Sequence, residues 1–178
     1  MKKYLLLVLI TFVTCSMSAQ LVTSTTVSKT KKQVNNSGMF FEVGIGALGG
    51  DIEGDGVSLD LGLGYRKGFN QYIAWDILKV KAMAEVSNLG ETITPQLMTG
   101  IRGTSPTLFA NVTAYGSFSG GYGYVIDAEE GGFAYEIQAG LNITPKFYVA
   151  FVYDNQGLSF EGYDINFSFT GARLGIRF

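Results

Sequence analysis

Apolar and polar residues alternate one by one along most of this chain, the period of strands that are wetted on one face only. Val57, Leu59, Leu61, Leu63 and Tyr65 alternate with Ser58, Asp60, Gly62, Gly64 and Arg66, the clearest case in the sequence. Before it, Phe41, Val43, Ile45 and Ala47 alternate with Glu42, Gly44 and Gly46. The third run, 72–86, starts with Ile73, Trp75 and Ile77 on the apolar face, then changes phase to Val80, Ala82, Ala84 and Val86. A bulge at 77–79 would do this, since one extra residue flips the faces, and it turns Lys79 and Lys81 to the polar side.

The fourth run, 93–102, sets Ile93, Leu97 and Ile101 against Thr94, Gln96, Gly100 and Arg102, with Pro95 weakening it near one end. The fifth, 108–118, opposes Leu108, Ala110, Val112 and Ala114 to Asn111, Thr113, Tyr115 and Ser117. In the sixth, Phe133, Tyr135, Ile137, Ala139, Leu141 and Ile143 oppose Glu136, Gln138, Gly140 and Asn142. The seventh sets Phe147, Val149, Phe151 and Tyr153 against Ala150 and Asp154. The last begins near Tyr163 with Ile165, Phe167 and Phe169 on the apolar face and shifts phase at 170–171. It ends with Ala172, Leu174, Ile176 and Phe178 opposite Gly171, Arg173, Gly175 and Arg177.

Eight runs of roughly nine to eleven residues suit strands that cross a bilayer at a tilt. Tight turns are expected at 67–70, 103–106 and 144–146, and longer loops at 49–56, 87–91, 120–132 and 155–162. Short turns inside and long loops outside are the pattern of bacterial outer-membrane barrels. The sequence therefore predicts an all-β fold over residues 39–178, an eight-stranded antiparallel transmembrane up-and-down β-barrel. Its apolar faces would meet lipid. Glu42, Asp60, Asp76, Lys79, Lys81, Arg102, Glu136 and Arg173 would point inward. An eight-stranded lumen is just wide enough for side chains to fill, and buried charges must pair. Glu42, Asp60, Arg102, Glu136 and Arg173 are thus expected to form a structural charge network plugging the lumen. The alternative is a narrow gated pore.

Charge and aromatic residues follow the same axis. The long loops hold Asp51, Glu53, Asp55, Asp127, Glu129, Glu130 and Glu161, while turns and strand ends hold Arg66, Lys67, Arg102, Lys146, Arg173 and Arg177. Tyr65, Phe69, Tyr72, Phe133, Phe147 and Phe151 fall where strands would cross the interfaces, as aromatic girdles do.

The first nineteen residues carry Lys2 and Lys3, an apolar segment from Tyr4 to Val13, and a small-residue stretch ending at Ala19. That is a secretory signal peptide, 1–19, too short to anchor. Cys15 as a lipidated residue is the rival reading, and 12–14 make a poor lipobox. Residues 20–38 are polar and without period, a flexible periplasmic segment before the first strand or a docking peptide.

Composition narrows the picture further. With 178 residues there is room for one domain, and Gly 24, Pro 3 and 13% aromatics suit a membrane barrel better than a soluble enzyme. A mean hydropathy of +0.21 is too low for a helix bundle, because only alternate residues of a barrel meet lipid. The formal charge of −2 becomes −4 once Lys2 and Lys3 leave with the signal, so no basic stripe invites nucleic acid. Cys 1 lies in the signal, which leaves the mature chain without disulfide or thiolate chemistry.

Residues 64–67 (Gly-Tyr-Arg-Lys), 74–76 (Ala-Trp-Asp) and the closing Gly-Ala-Arg-Leu-Gly-Ile-Arg-Phe resemble the small eight-stranded outer-membrane barrels of the OmpA/OmpX type. Within that group the chain is similar to Bacteroidota outer-membrane barrels. The resemblance covers 39–178 and implies export to a Gram-negative cell outer membrane. It also implies that terminal Phe178 marks the last strand for the barrel-insertion machinery. Enzymes on such barrels need a histidine as general base, and this chain has His 0. No catalytic, cofactor or metal residue is assigned.

Asp51, Glu53, Asp55 and Gly56 resemble the opening of a calcium loop, but Gly62 stands where the bidentate Glu belongs. A solvated acidic loop is the simpler account. The expected function is non-enzymatic: a structural or surface-interacting barrel, or an accessory subunit of a larger outer-membrane assembly. A narrow pore for small solutes or ions is the alternative. A lipid-modifying enzyme and a soluble lipocalin-like barrel are weaker ones.

Overall fold

The structure, a computed structural model, describes residues 37–50, 57–86, 93–126, 129–160 and 163–178. Eight strands follow one another: β1 (Gly38–Gly50), β2 (Val57–Gly68), β3 (Ile73–Glu85), β4 (Ile93–Phe109), β5 (Val112–Val125), β6 (Glu130–Asn142), β7 (Phe147–Phe160) and β8 (Tyr163–Arg177). Each pairs antiparallel with the next, and β1 pairs with β8 to close the barrel. Closure leaves no unpaired edge, so every strand finds its ladder partners inside the sheet. The signal peptide, residues 20–36 of the periplasmic segment and the acidic 51–56 stretch lie outside the described residues, while Gly38, assigned to that segment, already belongs to β1.

Side chains follow the pleat. Val43, Ile45, Leu97, Ile101, Phe118, Phe133, Phe151 and Leu174 are exposed on the outer face, while Glu42, Asp60, Lys81, Glu136 and Arg173 are buried inside. No outward position in the middle of the described strands is charged. The phase change in β3 is a bulge at Ile77 and Leu78, where the register slips against both β2 and β4. Both bulge residues are exposed, which lets Trp75 before them and Val80 after them share the outer face.

Three expectations are corrected. The turn at 103–106 is strand: β4 runs on to Phe109, and the reversal falls at Ala110 and Asn111 with φ of 43° and 68°. Two positive-φ residues make the mirror-image turn whose twist suits a hairpin. Leu108 and Ala110 therefore do not lie on β5. Pro106 is tolerated because the register slips between Thr104 and Thr107. There the Ser105 hydroxyl accepts the Ala114 N–H at 2.9 Å, in place of a ladder bond.

The loops expected at 120–132 and 155–162 are mostly strand. β5 and β6 pair out to Val125 and Glu130, and β7 and β8 out to Phe160 and Tyr163. Glycines read as loop residues serve the interior instead: a side chain at Gly123 would strike the Gln156 amide. The strands are accordingly 12 to 17 residues long, beyond the nine to eleven expected.

The third correction is that β8 has no phase shift. Its register against β1 and β7 is continuous. Phe167 and Phe169 therefore face inward, where they join Leu48, Met83 and Val152 in a buried apolar cluster. Gly46 makes the space, since a Cβ there would lie 2.8 Å from the Phe169 ring. The apolar cluster sits toward the end of the barrel that bears the 51–56 connection.

Candidate functional site

The lumen is the place where this chain concentrates chemistry. Among the described residues, five carboxylates (Glu42, Asp60, Asp76, Glu136, Asp154) and five cations (Arg66, Lys79, Lys81, Arg102, Arg173) are buried there. Their charges cancel. Each would be costly in isolation, so the arrangement is governed by pairing.

Register sets the pairs. Arg66 and Asp76 are direct cross-strand partners, joined in a two-pronged contact at 2.5 and 2.9 Å. Asp60 and Arg173 both lie opposite Gly44, on the strands either side of it, and the guanidinium reaches across that glycine to the carboxylate. Arg173 also stands 3.0 Å from Glu42 and 2.9 Å from Glu136. The bulge at Ile77 and Leu78 turns both lysines of β3 inward. Lys79 then reaches Glu42 at 2.7 Å and Glu136 at 2.6 Å. Lys81 reaches Glu136 and Asp154, each at 2.9 Å, and lies 3.6 Å from Asp60.

Neutral groups complete the shell. Gln138 donates to Glu136 at 2.7 Å, Gln96 to Asp154 at 3.0 Å, and the Tyr148 hydroxyl to Glu42 at 2.7 Å. Tyr148 lies flat over Gly175, where a Cβ would fall 2.1 Å from the ring. Both Arg66 and Arg102 face that ring, 5.8 and 4.6 Å from its centroid.

All five residues expected in the network are buried in the lumen, but they do not form one cluster. Glu42, Asp60, Glu136 and Arg173 meet directly through Arg173. Arg102 stands apart, with Nη2 on the Asn142 amide oxygen at 2.7 Å and its Cζ 3.2 Å from the Tyr115 ring centroid. Arg66, placed with the turns and strand ends rather than with the inward charges, is fully interior. Tyr115 stood on the polar face of its run, but sequence reasoning did not place Tyr148 and Gln156 in the lumen. For Tyr148 the signal was present, since it lies between outward Phe147 and Val149. Phe178 occupies the outward phase of β8, and its N–H donates to the Met39 carbonyl at 2.9 Å.

The end of the barrel carrying the 69–72, 110–111 and 143–146 connections, here the turn end, opens into a cavity of about 310 Å³. Gln71, Thr104, Thr113, Asn142, Thr144 and Arg177 contribute to its wall. Side-chain oxygens lace the turns around it: Asn70 accepts the Tyr72 and Ile73 N–H groups at 2.7 and 2.8 Å, and Thr144 accepts that of Phe147 at 2.9 Å.

No family model matches the chain, and no curated protein matches it in sequence. Solved structures do match. Neisserial surface protein A superposes with a TM-score of 0.55 at 9% identity, over 80% of this chain and 97% of that one. Ail, the attachment invasion locus protein of Yersinia pestis, aligns with a TM-score of 0.46 at 14% identity, over 79% of this chain and 98% of that one. The chain has the fold of the closed, eight-stranded outer-membrane β-barrels.

Proposed function

We propose that this chain is a non-enzymatic outer-membrane barrel whose lumen is a sealed structural plug and whose work is done at its surface. It acts as a structural or surface-interacting protein, or as an accessory subunit of a larger outer-membrane assembly. One observation carries the reading: the lumen is filled with mutually paired charges in its middle and capped by Leu48, Met83, Val152, Phe167 and Phe169. A conducting path would have to separate ion pairs held at 2.6 to 3.0 Å. That costs several kcal/mol per ion. The uncharged outer belt supports residence in lipid. Carboxylates each engaged by a cation, in a chain with His 0, leave no free general base in the described lumen.

Two experiments test this. Planar bilayers containing the refolded chain should stay electrically silent, and steady single-channel steps would replace the plug with a pore. Extraction of native outer membranes in mild detergent, followed by capture through a loop tag, should recover either the barrel alone or a defined assembly. Recovery in the soluble periplasmic fraction would overturn the membrane assignment.

A further inference from the structure

Of the five buried lumen cations, Arg102 has no carboxylate partner among the described residues. It is 2% exposed, and its Nη1 finds no hydrogen-bond acceptor there. A buried guanidinium satisfied only by an amide and two aromatic rings retains most of its charge as a field in its surroundings. A hydrogen-bonded path leads from it to the turn end. Nη2 donates to Asn142 Oδ1 at 2.7 Å, and Asn142 Nδ2 donates to Thr113 Oγ1 at 2.8 Å. Asn142 and Thr113 both line the cavity at the turn end. The chain of bonds runs from cation to amide to hydroxyl, each polarising the next, and leaves the Thr113 proton for an acceptor in the cavity. Thr104 and Thr144 add hydroxyls to the same wall, and Arg177, whose guanidinium donates to the Pro145 carbonyl, adds positive charge there.

We propose that this vestibule is a binding site for a phosphate group, with Arg102 supplying the charge and Thr113 the direct contact. The volume, about 310 Å³, admits a small phosphate compound or a phospholipid headgroup entering from the turn-side leaflet, and excludes a large ligand. A tetrahedral oxyanion suits the wall better than a planar carboxylate, because the hydroxyls of Thr104, Thr113 and Thr144 border the cavity from different strands and turns.

The test uses the full chain refolded in maltoside micelles, which contain no phosphate. Calorimetric titration with inorganic phosphate, against sodium chloride of equal ionic strength, forms one arm. Addition of phosphatidylglycerol in phosphate-free buffer forms the other. Saturable binding in the first arm identifies a free phosphate compound, and binding in the second alone identifies a headgroup. Asn142→Asp should weaken either by at least about tenfold, because it supplies Arg102 with an internal anion. Arg102→Gln should do the same, and a folded Asn142→Asp barrel keeps the question answerable if Arg102→Gln fails to fold. Heats indistinguishable from the chloride control in both arms, or binding that Asn142→Asp leaves intact, would overturn the site.

Discussion

Glu136 of β6 and Asp154 of β7 stand directly opposite each other across the ladder, both buried, and Lys81 of β3 lies 2.9 Å from each. Like charges in that relation destabilise a sheet. Here a third strand from across the lumen resolves the conflict, so β3 is tied electrostatically to the far wall. Lys81→Met should cost about 3–5 kcal/mol in detergent unfolding, since it leaves Asp154 without a cation in a dry site beside Glu136. Adding Asp154→Leu should restore much of that loss. A Lys81→Met barrel as stable as the parent would show that the two acids are solvated.

Tyr148 and Gly175 form a second coupled pair, because the ring occupies the volume a side chain at 175 would need. Gly175→Ala should displace the ring, break its 2.7 Å bond to Glu42 and cost about 1–3 kcal/mol. Tyr148→Phe removes the same bond alone, at about 1.5–3 kcal/mol. The double mutant should lose less than the sum of the two single losses, and a double-mutant cycle by thermal or urea unfolding measures the shortfall. Strict additivity would mean that the ring does not depend on the glycine.

How far the sequence could be read depended on what each position reports. Period two is a direct record of the pleat, so the strands, their faces and even the bulge at Ile77 and Leu78 were legible. Lys79 and Lys81 betrayed that bulge by falling in the wrong phase. The same logic failed at Phe167 and Phe169, because it equates aromatic with outward. In a lumen this narrow the end of the plug is apolar, and the glycines that admit it, such as Gly46, lie on other strands. The turn at Ala110 and Asn111 was hidden for a local reason: Gly103 to Pro106 carries stronger turn chemistry, and the register slip together with the Ser105 side chain lets the strand pass through it. The partnering of Arg102 with Asn142 joins residues 40 apart, which no local pattern records.

The single tryptophan offers a probe that needs no label. Trp75 lies on the outer face near the turn end, and its Nε1 donates to Thr99 Oγ1 at 2.9 Å; that hydroxyl donates in turn to the Asp76 carbonyl at 2.9 Å. An indole with its N–H satisfied beside the bulge suits the bilayer interface. Emission should shift to the blue on insertion into vesicles and be quenched by lipids brominated near the headgroup. Emission unmoved by brominated lipid would put the ring in water and the outer face with it.

Arg173 and Leu174 are neighbours in sequence with opposite surroundings: Arg173 is 2% exposed within the lumen, and Leu174 is 65% exposed on the outer wall. If the outer wall meets acyl chains, Leu174→Arg places a charge in the hydrocarbon and should cost about 2–4 kcal/mol in vesicles, provided the site is near the midplane. If the outer wall meets water, the same change should fall within about 0.5 kcal/mol, as surface substitutions do. Arg173→Leu should be destabilising in either case, because it strands Glu42, Asp60 and Glu136 without the cation they share. The informative quantity is therefore the Leu174→Arg loss measured in vesicles, read beside Arg173→Leu as the control for disruption of the plug. A large loss at both positions supports a lipid-facing wall around a charged interior. A loss at Arg173 alone would leave the barrel closed but place it in water.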